Sequence, residues 1–593
     1  MIVVRRGLCH RFDLDAAQGE AWIRAGLPVI EAAGPDMVYD AYLGWMGLAL
    51  IAARRFDHDG AVVAYNRALA LPGMATRVEA LVGLANITAF DGDGVALGVI
   101  DRALAAVAQD PVKLSERHKQ EAYIRAVRVR VLMNQGHDAE ADKEAEAAIS
   151  LAGGLSTFGV SGSDVELRSD AAQAALLSGH PDRARELLAY TGAGRIAQSP
   201  FVSATSMALP DCDETVGLRP DDSAVVEFSI GTDGAVQGAQ TMFTRGDFAT
   251  ATVFADAVRH WIWQPEAVAK LPPYYRALIR VELRCSRTGG GMPGVWSMFD
   301  KRLLGWAGPM PWLDKRLSMA ARATAMRQRS VQVETGGDHV GAGVLLMAAL
   351  AQDPIQRADA VVQAEKAVAL LANADPAHRA TAAALRTEMQ VRQAHVHDNY
   401  RVSTEATYFA AARDPVIAAD ALAQDTLLLA GLGHRGGHFS DGEIKALNQV
   451  ADDTRPDAAL PLRQIALLRL ASLAAHDRHI EEAQALFTRT GLDSEQCSLI
   501  GDIPRLHNNE FSNYPIDAQR MGFEGWVKEE YDITADGHTA GSRTVIAYPP
   551  FVFVAGAAQI VRSMRYDPSF RPSGKLACSA KAETIKFALP YMH

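Results

Sequence analysis

Along Ala224-Val225-Val226-Glu227-Phe228-Ser229-Ile230, apolar and polar positions alternate as a half-buried strand requires. Thr232-Asp233-Gly234 is a hairpin turn signal, and Val236 to Phe243 reads as the returning strand. The period then changes. Phe254, Ala257, Val258 and Trp261 fall at i, i+3, i+4 and i+7, one face of a helix, and Pro265 ends the segment. Ala277 to Leu283 is a last strand, giving a ββαβ unit.

The pattern recurs. Ile230 aligns with Ile533 and Pro265 with Pro568, a constant offset of 303 residues. Glu530-Tyr531-Asp532-Ile533 stands where Glu227-Phe228-Ser229-Ile230 stood, Asp536-Gly537 replaces Asp233-Gly234, and Ala557, Ile560, Val561 and Met564 keep the helix face apolar. Glu583 to Leu589 is the second closing strand.

Elsewhere the pattern is helical, from Ala41 to about Gly192 and from Ala320 to Thr490. Gly47, Phe56, Ala61, Tyr65, Ala68 and Pro72 resemble a tetratricopeptide repeat, in which small residues let paired helices approach and proline stops the second. Weaker hairpins follow through Gly136-His137 and Gly179-His180, and Leu467 to Ala483 closes the second stretch in the same way. The expected fold class is α+β: two tetratricopeptide-like hairpin arrays, residues 1–200 and 295–495, each followed by a small ββαβ module, residues 201–288 and 496–593. Thr288-Gly289-Gly290-Gly291 marks the boundary between the halves.

Composition narrows the function classes. With 49% hydrophobic and 22% charged residues the chain is globular, and a net charge of −11 argues against a nucleic-acid partner. No apolar run reaches the ~20 residues of a membrane-spanning helix, and Met1 to Leu8 lacks the apolar core of a secretory signal. Cys212, Cys285, Cys497 and Cys578 flank the two β units. They suit either one disulfide per unit in an oxidising compartment or free thiols in a reducing cytosol. Cys285 follows its unit's last strand whereas Cys578 precedes the other's, which keeps both readings open.

The second unit resembles the C-terminal domain of the TonB energy-transducer family. Tyr514-Pro515, Ala518, Gly522, Gly525-Trp526-Val527, Asp536-Gly537, Val561-Arg562, Tyr566 and Pro568 follow that family's order. The first unit lacks the Tyr-Pro opening and begins Asp211-Cys212. The resemblance implies a periplasmic protein–protein module whose sheet edge accepts an extended segment of a protein partner such as an outer-membrane receptor. The closing strands are then the binding edges: Leu278, Ile279, Arg280 and Val281 in the first unit, Thr584, Ile585, Lys586 and Phe587 in the second. The duller reading has neighbouring helices covering them. The sequence shows neither a membrane helix nor a proline-rich spacer, which argues against energy transduction.

No cofactor, metal site or catalytic residue is expected. Phosphate-cradling loops, dinucleotide fingerprints and nucleophile elbows are missing. His434, His438 and Glu443 read as a surface turn with Ser440–Glu443 as a capping box, and His395 and His397 as a polar helix end. Arg259 and Arg562 read as solvated or paired surface charges, and Trp296 to Leu317 as packing between the first β module and the second array. The expected function is non-enzymatic: partner segments bound by helical-repeat surface and by strand addition. The alternatives are a cytoplasmic adaptor with structural β modules, which a genuine start at Met1 would favour and a signal or anchor encoded upstream would disfavour, or an enzyme with a polar pocket of shifted pKa values.

Overall fold

In the computed structural model the described residues are 4, 5, 8, 17–72, 77–92, 94–109, 113–195, 204–212, 218–287, 295–313, 319–355, 357–397, 404–432, 439–492, 506–508, 514–566, 570 and 576–589. The first helical stretch comprises α1 (Ala17–Ala32), α2 (Val38–Arg54), α3 (His58–Ala70), α4 (Val78–Ile87), α5 (Val95–Gln109), α6 (Leu114–Asn134), α7 (Asp138–Leu151), α8 (Gly162–Leu177) and α9 (Pro181–Ala189). The second comprises α12 (Ser297–Ala307), α13 (Met319–Thr335), α14 (His339–Gln352), α15 (Ala360–Leu370), α16 (Pro376–His397), α17 (Thr404–Ala411), α18 (Pro415–Ala418), α19 (Ala421–Ala430), α20 (Asp441–Ala451), α21 (Leu460–His476) and α22 (Ile480–Thr490).

One turn recurs in both stretches. The residue after the turn donates its N–H to a carbonyl five residues back: Asp57 to Ala52, His137 to Leu132, His180 to Ala175, Asp338 to Val333 and His479 to Ala474. This closure needs a left-handed residue just before the donor. Gly136, Gly179 and Gly337 supply it without strain, while Phe56 and Arg478 adopt φ of 58° and 66° despite their side chains. Asp57 and Asp338 then cap the following helix through the Gly60 and Gly341 amides.

The β units have matching element order. The first is β2 (Ser223–Ile230), β3 (Val236–Thr244), α10 (Phe248–Arg259), β4 (Ile262–Trp263) and β5 (Ile279–Arg284), with β1 (Ala204–Ser206) paired to β4 and the short α11 (Pro265–Ala269) before β5. The second is β7 (Gly525–Thr534), β8 (Thr539–Tyr548), α24 (Val554–Ser563), β9 (Arg565–Tyr566) and β10 (Leu576–Phe587), with β6 (Leu506–Asn508) paired to β9 and α23 (Ile516–Arg520) before β7. Trp261 and Met564 are buried as expected, but they lie beyond the helix ends and lead into β4 and β9.

The two units do not stand apart. They share one antiparallel sheet in the order β10-β7-β8-β5-β2-β3, joined where Glu282 and Leu283 of β5 pair with Ala547 and Ile546 of β8. Leu278 to Val281 were expected at an open edge, and that expectation is corrected: β5 is an interior strand between β2 and β8. Leu278 precedes the strand, its N–H reaching Ser229 Oγ. Arg280 is buried, bonded to Glu227 at 2.8 Å and to Asp170 of α8 at 2.6 Å.

The cores follow this arrangement. Residues of α6–α9 share one buried cluster with Phe523, Val527, Phe553 and Phe587 of the second unit, whereas α1–α6 form another. The second helical stretch has its own clusters, which take in Phe299, Leu303 and Leu313. Of the Trp296–Leu317 segment, the described residues 296–313 therefore pack into the second array, and the rest lie outside the described residues. Trp296 lies against Phe299 and Tyr408, and Trp306 stacks on His378 at 3.9 Å.

Candidate functional site

A sheet of six strands has two terminal strands, and they differ in how they present themselves. At one end, β3 carries register shifts between Val225 and Val226 and between Glu227 and Ser229 of its partner β2. Such bulges spoil a pairing template. The last residues of β3 are also covered. Asn134, closing α6, donates Nδ2 to the Met242 carbonyl at 3.0 Å and accepts the Thr244 N–H at 3.0 Å, so its amide takes the place of a neighbouring strand.

At the other end, β10 pairs with β7 through seven consecutive residues, Lys581↔Tyr531 to Phe587↔Gly525, without a shift. Its outer side pairs with no strand among the described residues. Ile585 and Phe587 point into the core while Thr584 and Lys586 are exposed. Phe587 stacks on Phe553 with centroids 4.4 Å apart, and Tyr514 meets both rings edge-on. The Tyr514 hydroxyl donates to the Phe523 carbonyl, and Glu524 accepts the Leu589 N–H at 2.8 Å. The Tyr-Pro motif thus anchors the end of the open strand. Where the unshifted run begins, midway along β10, Lys581 donates to the Tyr566 hydroxyl at 2.9 Å and pairs with Glu583 at 3.2 Å. Burial lowers the pKa of Lys528, opposite Thr584, and raises that of Glu529, which Ser542 and Thr544 hold by hydrogen bonds.

Residues 512–589 match the family model of the Gram-negative bacterial TonB protein C-terminal. The match covers the second unit alone and points to a TonB-like role in protein interaction at the cell envelope. No curated protein matches the chain. No helix among the described residues is long and apolar enough to cross a membrane.

The remaining expected residues fall out as follows. Cys212 and Cys285 form a disulfide with Cα atoms 5.0 Å apart. The backbone brings them together, because Cys212 N–H donates to the Ser286 carbonyl and Ser286 N–H to that of Pro210. Cys497, His434 and His438 lie outside the described residues, as do the side chains of Cys578, His395 and His397. Ser440 and Glu443 form the capping box. Arg562 is exposed. Arg259 is paired, with Asp256 at 3.6 Å, and is also covered: its guanidinium lies 3.9 Å over the Phe56 ring and donates to the Arg54 carbonyl at 2.7 Å. Burial lowers its pKa, and the aromatic face and carbonyl take the place of solvent.

Two charge networks escaped sequence reasoning. Asp170, fully buried, bridges Arg130 of α6 at 2.6 Å and Arg280 of β5, and Arg280 continues to Glu227. Glu166 completes the set on Arg130 at 3.0 Å; burial first, with the charges of Glu227 and Asp170, raises its pKa against the pull of Arg130. Where the units join, fully buried Glu530 accepts from Ser286 Oγ and from Arg287 Nε at 2.6 Å, with Arg543 at 3.5 Å. The signal was in the sequence, since Glu227 and Glu530 both interrupt apolar strand positions. Their carboxylates are matched by arginines, as buried charges must be, and this gives them a structural role.

Proposed function

We propose that this chain is a non-enzymatic cell-envelope protein that binds a segment of another protein by strand addition at β10. The single observation behind the reading is that β10, shifted against β7 before Lys581, ends the sheet with an unshifted ladder from Lys581 to Phe587, while the end of β3 is capped by Asn134. An added strand would draw its affinity from main-chain hydrogen bonds and its selectivity from alternate side chains beside Thr584 and Lys586. The family match supports a protein partner, with outer-membrane receptors the class it suggests.

We read the two β units as copies of one module. Beyond the offset of 303 residues, each turn glycine does the same work. The Gly234 carbonyl accepts Trp263 N–H at 2.9 Å and the Gly537 carbonyl accepts Tyr566 N–H at 2.8 Å. The recurring hairpin closure supports tetratricopeptide-like arrays before each copy. The Cys212–Cys285 disulfide favours an oxidising compartment such as the periplasm over the cytoplasmic alternative.

The test is photo-crosslinking. A photoreactive residue at Thr584 or Lys586 of the full chain, expressed in cells that carry its partners, is expected to give adducts that map to one extended partner segment. The same probe at exposed Arg562 should give none. Adducts concentrated on the second helical array, with β10 silent, would transfer the binding role to the helices. Mass mapping of Cys212 and Cys285 in protein from its native compartment tests the location: free thiols there would sink the envelope assignment.

A further inference from the structure

The inner helices of the first array and the first β module enclose a cavity of about 860 Å³, within the ~300–1,000 Å³ of specific ligand sites. Helices α2, α4 and α6 form its floor; Gly238 to Met242 of β3 and Ala251 to Ala255 of α10 form its roof. The roof is fixed at two places. Arg259 locks α10 to the α2–α3 turn, where His58 also lies 4.7 Å from Phe248. Asn134 and Arg245 lock β3 to the end of α6, Arg245 reaching the Met133 carbonyl at 3.0 Å and Asp138 at 2.6 Å. The space between these clamps is a built feature of the fold.

Its chemistry is specific. Four tyrosines line it: Tyr42 and Tyr65 are 4% exposed, whereas Tyr39 and Tyr123 are 60% and 48% exposed. Tyr65 lies on bare helix backbone, since a Cβ at Gly83 would come within 2.4 Å of its ring. Glu79 stands among them: burial first, then the charge of Glu79, raises the pKa of Tyr42, and burial raises that of Tyr123 against the pull of Arg130, with Glu166 and then Glu79 adding smaller pushes. It is the only carboxylate in the lining, it is exposed, and it forms no ion pair among the described residues. Of the two arginines in the lining, Arg130 is neutralised by Asp170 and Glu166, and Arg54 sits beside Arg259 at the clamped turn.

We infer that this cavity is a second binding site, for an extended partner segment that inserts a lysine or arginine side chain between the tyrosines onto Glu79. Aromatic faces around a carboxylate select a cation over a neutral or acidic side chain. The bulged roof strand favours recognition by side chains over continuation of the ladder. The inference rests on reading the chain as a protein binder, but not on the open edge of β10.

The probe is a set of four fluorescent nonapeptide pools, each with its central residue fixed as Arg, Lys, Gln or Glu and its flanks varied over Leu, Val, Phe, Ala and Ser. Fluorescence anisotropy with the full chain should show the Arg and Lys pools binding at least about tenfold tighter than the Gln and Glu pools. Glu79→Gln, a surface change that preserves the fold, should erase that preference, and Tyr123→Ala should weaken the cationic pools. Hydrogen exchange with the Arg pool should protect 79–83 and 237–242. Equal binding of all pools, no binding by any, or a preference that survives Glu79→Gln would overturn the inference. Spermidine binding as tightly as the cationic pools would replace the peptide by a small polycation. Protection confined to 581–587 would overturn this site while supporting the β10 edge, so the two readings fail separately.

Discussion

At the scale of single residues, Asp425 is a carboxylate whose environment is set against its charge. Asp425 of α19 is fully buried and neither of its oxygens has a hydrogen-bond partner; Arg455 approaches no closer than 4.0 Å. Burial, aided by the charge of Asp453, pushes its pKa up to about 8. The folded state therefore keeps a proton that the unfolded chain gives up near the ordinary carboxylate pKa. The associated stability is full below about pH 4 and is lost as pH rises towards 8. Asp425→Asn should leave the melting temperature unchanged at pH 4 and raise it at pH 8.5, by roughly 1–3 kcal/mol of stability, as calorimetry would show. A variant less stable than wild type at pH 8.5 would mean that the ionised form is the one the fold supports. Nothing in the sequence around Asp425 announces this, because burial is decided by helices that pack from elsewhere. Arg259 teaches the same lesson in reverse: beside an apolar helix face it reads as a solvated or paired surface charge, and only the α2–α3 turn arriving over it makes it a clamp.

At the scale of elements, the β units were legible because their signals are local. An Asp-Gly turn, alternation on either side and a 3.6-residue period after it need no knowledge of the rest of the chain. Gly537 shows what the turn requires. It has φ of 85°, and a Cβ there would lie 1.9 Å from the Tyr566 carbonyl oxygen. Gly537→Ala is expected to cost about 2–3 kcal/mol through backbone strain and a displaced β9, measured by denaturant unfolding. Gly234→Ala should behave alike, since its Cβ would sit 2.0 Å from the Trp263 carbonyl oxygen. A neutral result at both positions would remove the strongest local argument for a shared module. The helical hairpins were legible for similar reasons at Gly136 and Gly179, whereas Phe56 and Arg478 occupy the same left-handed position without a glycine to mark it.

At the scale of the whole molecule, the joining of the two units was not legible. The pairing of Glu282 with Ala547 connects strands far apart in sequence, and no periodicity encodes which edge meets which. What holds the joint is charge as much as ladder: Arg284 donates to the Thr544 carbonyl, Arg543 to the Cys285 carbonyl, and Arg287 and Ser286 converge on Glu530. Glu530→Leu should leave Arg287 and Arg543 without their buried partner, a loss of about 3–5 kcal/mol by analogy with broken buried pairs. Hydrogen exchange should then quicken at Leu283 and Ile546 before it does in β2 or β7. Unchanged protection there would show that the short ladder alone carries the joint.

The β5–β8 contact also sets how many ligands the sheet can hold. Two such modules strung on a flexible tether would be bivalent, and a partner with two copies of a motif would gain avidity from them. Side-by-side fusion uses up one rim of each module, and Asn134 occludes part of a third. Among the described residues one wholly uncovered rim is left, so titration of a strand-forming ligand against this sheet should saturate at one equivalent per chain.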